Sequence, residues 1–361
     1  MVLIFRQEVL HTMKPAHQIN KDKLVQIISE EARRTGFSGV VQVTEREHVL
    51  AAAAFGIANI GDVRLNQAHT RFAIASGSKL FTAIAVCQLA EQGLLSFDAK
   101  ILDILPKQEF PLFDPAISVH QLLTHSSGIP DYFDEEEMED FAALWKETPM
   151  YTLRRPGDFL PLFAGLPMKF VPGGRFHYNN AGYIMLAMLV EAISGQPFTE
   201  YVEQYIFLPC GMKDSGYFEL DALPAHTAQG YIDSSNGKKT SNIYSIPVVG
   251  GGDGGAFVTV ADMHKLWSGL LEHKLLQAET TALLLTPHIY ERKDSYYGYG
   301  VWIQAGPSEK VLKYHIMGYD PGISFHSAYY PERGMTITAL CNKSNGAYMM
   351  MSAVEGYLPV G

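Results

Sequence analysis

Apolar residues recur at helical spacing over residues 19–35, with Ile19, Leu24, Ile27 and Ile28 on one side. The pattern predicts an amphipathic helix closed by Gly36. Two runs of strand character follow at residues 39–44 and 48–56, and the charged Glu45-Arg46-Glu47 between them predicts a hairpin. Residues 79–92 are apolar almost all round and end at Gly93, the pattern of a helix buried on every side. The middle of the chain is punctuated by turn signals at Ser127-Gly128, Pro156-Gly157 and Pro172-Gly173-Gly174, with helical patterns at 181–194 and 199–206. Strand character returns at 299–304, 310–317, 324–330 and 335–340, a spacing that suggests an antiparallel sheet. The expected class is therefore α/β of the α+β kind, an antiparallel sheet flanked by helices. Pairing the first hairpin with the late strands gives a discontinuous sheet domain of residues 1–95 plus 246–361. Residues 96–245 form an inserted, mostly helical lobe, with a cleft between the two parts.

Composition narrows the partners. The 361 residues are 47% hydrophobic and 18% charged, and the balance of 28 basic against 38 acidic residues is −10. An acidic chain without a run of Lys or Arg fits neither nucleic acid nor an anionic membrane surface. The cluster Asp134, Glu135, Glu136, Glu137, Glu139 and Asp140 is expected to be a solvated loop or helix start. Cys87, Cys210 and Cys341 lie far apart with no metal-type spacing, and read as buried thiols of a reducing compartment. The apolar patch at the start, Met1-Val2-Leu3-Ile4-Phe5-Arg6, is too short for a signal peptide core, and no later run reaches the roughly 20 apolar residues of a membrane span. The expected location is the cytoplasm, or outside it if a leader was removed.

The chemistry begins at Ser76-Gly77-Ser78-Lys79. Ser76 and Lys79 are three apart at the start of the buried helix and so share a face one turn apart. A serine hydroxyl needs a nearby base, burial disfavours the charged form of a lysine, and a helix start offers backbone N–H groups to an oxyanion. The same spacing recurs at Ser235-Asn236-Gly237-Lys238, in a polar turn where nothing would desolvate the lysine. The plain alternative for Ser76 is a helix N-cap. Tyr178-Asn179-Asn180 precedes the helical pattern from Ala181; Tyr178 suits a phenolate-type base, and Asn180 suits a substrate amide. Alternatively, Asn180 caps that helix and Tyr178 packs in the core.

Taken in order, segments 71–79, 121–132, 176–183, 251–262 and 297–300 resemble the serine β-lactamase and penicillin-binding-protein superfamily in its class C-like branch. That branch also holds D,D-peptidases, D-amino-acid peptidases and esterases. The resemblance runs from about residue 20 to about residue 345. It implies the β-lactamase-like fold, acylation of Ser76 with help from Lys79, a proton shuttle at Tyr178 and a substrate contact at Asn180. The third motif departs from the family pattern of Lys or His, any residue, then Gly. Here the strand reads Lys313-Tyr314-His315-Ile316-Met317-Gly318-Tyr319, so either Ile316 stands where the basic residue belongs or a bulge presents His315. In the first register the N–H of Tyr319, with that of Ser76, would form the oxyanion hole. With Ile316 there, recognition of a substrate carboxylate weakens and an uncharged ester or amide is less affected.

Other signals carry less. Gly250 to Gly255 matches a dinucleotide-binding pattern literally but lacks the βαβ context, and reads as a flexible loop near the cleft, before a helix capped around Thr259 or Asp262. His125 is expected to brace a loop. Phe159, Phe163, Trp145 and Tyr132 either line the cleft or pack in the core. No cofactor and no metal are expected. The reading is a serine hydrolase acting through an acyl-enzyme on a small ester or amide. A penicillin-binding D,D-peptidase or weak β-lactamase is the alternative within the same chemistry, and a non-catalytic sensing or partner-binding module is the alternative outside it.

Overall fold

The computed structural model describes residues 19–306 and 310–359, and the apolar patch of residues 1–6 lies outside them. Helix α1 (Lys21–Thr35) is started by Asn20, whose side chain accepts from the Lys23 N–H, and stopped by Gly36 in the left-handed region. The hairpin follows as β1 (Gly39–Glu45) and β2 (His48–Phe55), turning at Arg46 with φ of 53°. Next come α2 (Lys79–Glu91), α3 (Val119–Leu123), α4 (Asn180–Ser194) and α5 (Val260–Leu271). The late strands are β3 (Ile289–Arg292), β4 (Ser295–Tyr297), β5 (Trp302–Ala305), β6 (Val311–Asp320), β7 (Ile323–Tyr330) and β8 (Met335–Cys341), and α6 (Ala347–Glu355) closes the described chain.

Among the described residues these strands form one eight-stranded sheet in the order β2-β1-β8-β7-β6-β5-β4-β3. Both ends of the chain thus meet where β1 pairs with β8, as the hairpin argument requires. The sequence pattern missed the edge strand β3, whose residues alternate between half-buried and exposed, and its neighbour β4, whose residues are half-buried or buried. The expected 199–206 helix is shorter: Phe198–Val202 is α-helical and Glu203–Phe207 widens into a π turn.

Alternation along the strands gives each face of the sheet its own core. Val41, Val43, Ile337 and Ala339 face α1 and α6, where they pack with Leu24, Ile28, Met350 and Val354. Val40, Ile316, Phe325 and Leu340 face the other way and join Phe81, Ile84, Tyr183 and Trp267. That second core continues without a break into Phe110, Leu122 and Phe163 of the middle segment, because α2 is buried on every side and packs against both parts.

Candidate active site

Ala75–Ser78 forms a single 3-10 turn that runs straight into α2. Ala75 has φ of 45°, a left-handed backbone that costs a non-glycine residue about 1–2 kcal/mol. The bend sets Ser76 at the start of the helix without using it as a cap, so its hydroxyl is left for chemistry. Two glycines make room for the turn. A Cβ on Gly77 would come within 2.4 Å of the Phe325 ring, and one on Gly318 within 2.8 Å of the Ser76 amide nitrogen.

Lys79 is 1% exposed, yet its ammonium sits in a polar cage rather than in the apolar surround expected from the helix pattern. Its Nζ donates to Ser76 Oγ at 3.0 Å, Asn180 Oδ1 at 2.8 Å and the Asp253 carbonyl at 2.8 Å. Three acceptors match the three N–H groups of a lysine. Lys79 Nζ also lies 4.8 Å from the centroid of the Tyr178 ring. Burial, then the Glu135 charge, holds the Tyr178 phenol well above its ordinary range, and contact with the Ser76 hydroxyl pulls the other way. Tyr178 therefore rests as a neutral phenol.

The cap of α4 is Asn179, which accepts from the Gly182 N–H and donates to the Ile129 carbonyl. Asn180 is thereby turned toward Lys79. Its Nδ2 donates to Asp131 Oδ2 at 3.2 Å and to the Phe133 carbonyl at 3.4 Å. With its oxygen on Lys79 and its nitrogen on Asp131 and Phe133, the Asn180 amide is committed to the protein. Asn180 also lines the cleft with Ser76, where the substrate contact is expected. Asp131 also accepts from the Asn180 and Ala181 N–H groups, at 2.7 and 2.9 Å. Burial pushes its carboxyl up to about 7 despite those bonds. His125 braces its loop as expected: its Nδ1 accepts from the Asn179 N–H at 3.0 Å, and burial keeps it uncharged.

The structure decides the third motif. β6 pairs with β7 without a bulge, His315 opposite Ala328 and Gly318 opposite Phe325. Ile316 and Gly318 therefore face α2 and the Ser76 turn, and Ile316 is 2% exposed in the core. His315 lies on the opposite face with Lys313, His326 and α6 residues Met351 and Glu355, so it is not brought to Ser76. The Tyr319 side chain also leaves that way, its hydroxyl 2.5 Å from His326 Nε2, and Tyr319 borders the cleft as well. β5 ends its pairing at Trp302 opposite His315. Among the described residues, Met317 to Asp320 have no partner strand on that side.

Four further residues of the site had no role in the sequence reading: Asp131, Glu135, Asp253 and Asp320. Asp253 hides in the glycine run. That run is packed rather than flexible: a Cβ on Gly252 would lie 2.2 Å from the Tyr183 carbonyl oxygen, and Thr82 Oγ1 donates to the Gly252 carbonyl. The helix after it is capped by Thr259, as expected. The acidic cluster is not simply solvated either. Asp134 is buried, paired with Lys169, and lies 3.2 Å from His177 Nε2. Asp134, Glu136 and His177 bring possible metal-ligand atoms within 4.8 Å of one another, but Lys169 and Arg175 already pair with these carboxylates. Tyr132 and Phe159 line the cleft, and Phe163 and Trp145 belong to the core. The Ser235–Lys238 copy lies in an exposed turn.

A model of the β-lactamase family matches residues 23–353. The chain belongs to the β-lactamase family. This family member is 51% identical to a penicillin-binding protein from Bacillus halodurans of known crystal structure, covering 92% of this chain and 100% of that one with a TM-score of 0.88. It is 27% identical over 338 residues to penicillin-binding protein 4* of Bacillus subtilis, covering 90% of this chain and 72% of the relative. It is 29% identical over 223 residues to esterase EstB of Burkholderia gladioli, covering 57% of this chain and 55% of the relative. The fold is the β-lactamase-like one, and the chain is a serine hydrolase of the acyl-enzyme type. No helix among the described residues is long and apolar enough to cross a membrane.

Proposed function

We propose that this hydrolase cleaves a small ester or amide at Ser76, in a cleft between a sheet domain (1–95 plus 246–361) and a helical lobe (96–245). The observation that carries the reading is the 3.0 Å bond from Lys79 Nζ to Ser76 Oγ. Ser76 Oγ attacks the carbonyl carbon, and its proton passes through Tyr178 and Lys79 to the leaving group. The N–H groups of Ser76 and Tyr319 receive the oxyanion, and the free edge of β6 offers further backbone groups to the substrate. Water then attacks the acyl-enzyme, and Ser76 regains its proton. The buried Ile316 at the basic position supports an uncharged group where relatives receive a carboxylate. The free thiols Cys87, Cys210 and Cys341 support a reducing compartment.

Replacing Ser76 by Ala is expected to abolish turnover of p-nitrophenyl acetate while circular dichroism stays unchanged. Retained turnover would overturn the assignment. The likeness to the Bacillus halodurans penicillin-binding protein favours a second reading, a D,D-peptidase or weak β-lactamase. Intact mass after penicillin treatment separates the two: a lasting adduct on Ser76 supports the second reading, and no adduct supports the first.

A further inference from the structure

We propose that His125 is a positioning residue for Tyr178, tying down the backbone on both sides of it and backing its ring. This deepens the serine-hydrolase reading and rests on it. The fold puts His125 at a strained place. Helix α3 ends in a Schellman turn, in which the His125 N–H donates to the Leu122 carbonyl at 3.3 Å and the Ser126 N–H to the Gln121 carbonyl at 2.8 Å. The residue at this point of the turn takes a left-handed backbone, and His125 has φ of 55°. Glycine is the ordinary occupant, because it has no Cβ to clash there. A histidine in its place carries strain, and such strain persists where the surrounding structure uses the residue.

Carbonyl and side chain of His125 both engage the segment that carries Tyr178. The carbonyl accepts from the His177 N–H at 2.8 Å, and Nδ1 accepts from the Asn179 N–H at 3.0 Å. The two bonds fall on the residues immediately before and after Tyr178. The imidazole centroid lies 4.5 Å from that of the Tyr178 ring, with 38° between the planes. The imidazole also packs against Tyr297 and Tyr183, at 4.7 and 5.0 Å. Tyr183 is fixed in turn, since its hydroxyl donates to the Leu123 carbonyl at the end of α3. Because Nδ1 accepts a hydrogen bond, the proton of the neutral ring sits on Nε2, which has no hydrogen-bond partner among the described residues. A buried donor left unpaired costs stability, so Nε2 does not explain a histidine at this position. The acceptor at Nδ1 and the flat ring do, and both meet the Tyr178 segment. A group that moves a proton loses rate when it is displaced, so this hold acts on the reaction through Tyr178.

Leaving-group dependence in the full chain tests this. p-Nitrophenolate departs without a proton, whereas the ethanol of ethyl acetate needs one delivered. A misplaced Tyr178 therefore slows ethyl acetate more than p-nitrophenyl acetate, while a smaller share of folded protein slows both alike. The readout is kcat/KM, which reports acylation with either ester. His125→Ala removes the acceptor and the ring, and is expected to widen the p-nitrophenyl-to-ethyl ratio about ten-fold. His125→Asn sets Oδ1 where Nδ1 stood and tolerates the left-handed backbone, so its ratio is expected to return to within about three-fold of the wild type. An unchanged ratio in His125→Ala, or an Asn variant no closer to the wild type than the Ala variant, would overturn the proposal. If His125→Ala fails to fold by circular dichroism, His125→Gly, which relieves the strain, takes its place in the comparison. An unchanged ratio with Ser76→Ala inactive sinks this inference alone, and turnover retained by Ser76→Ala sinks the hydrolase reading beneath it.

Discussion

Gly318 holds strand β6 against the nucleophile turn: a Cβ there would lie 2.8 Å from the Ser76 amide nitrogen and 2.1 Å from the Ile74 carbonyl oxygen. Both neighbours are backbone, so neither can swing aside. Gly318→Ala is therefore expected to cost about 1–3 kcal/mol of stability, as overpacking does. It is also expected to lower kcat for ester hydrolysis at least about ten-fold, since the two N–H groups proposed to receive the oxyanion sit on the two segments it pushes apart. Urea unfolding and steady-state kinetics on the same protein check both effects. Unchanged kcat would remove Gly318 from the positioning of Ser76.

The pH dependence of activity follows from the Tyr178 phenol beside Ser76. Burial and then Glu135 hold it neutral. The phenol must lose its proton before it can accept one from Ser76, so kcat/KM is expected to rise from neutral into alkaline pH. The Glu135 charge raises the Tyr178 phenol, so removing it lowers the phenol's proton affinity. In Glu135→Gln the rising limb should move to lower pH. A pH–rate profile of both proteins with a neutral ester reads the shift, and a move to higher pH would contradict the electrostatic account.

Asp320 links pH to stability. Its ordinary value of 3.8 applies to the unfolded chain, and burial raises it to about 8 in the folded protein. Between these values the folded state binds more protons than the unfolded state, so this group lowers stability as pH rises through the window. Asp320→Asn removes that loss. Its stability relative to the wild type should therefore climb from about pH 4 to about pH 8, read as the difference in urea midpoint along the pH series. A constant difference would show that Asp320 titrates normally.

Much of this was legible along the chain. The antiparallel sheet, the buried α2 and the Ser76, Lys79 and Tyr178 grouping followed from periodicity, burial and motif order, all local or nearly local signals. The elements that escaped were weakly patterned. β3 and β4, four and three residues long, are too short for a period-two pattern to stand out, and β3 is the edge strand of the sheet. The glycine run read as a flexible loop because composition records the absence of side chains, not the backbone packed into the space they leave.

The sequence by itself determined which residue types stand ready at which spacing: a serine and a lysine one helical turn apart, and a tyrosine and an asparagine before a second helix. Only the tertiary structure decided how they are used. Asn179 took the cap, so Asn180 turned to Lys79. An unbulged β6 sent His315 to the far face and Ile316 to the core. Glu135, Asp253 and Asp320 converged on one cleft from separate segments, with Asp131 behind them on Asn180. Such outcomes depend on register and on distances between remote segments. A one-residue step in a strand reverses a side chain's face, and no local pattern records what a distant loop will bring opposite it.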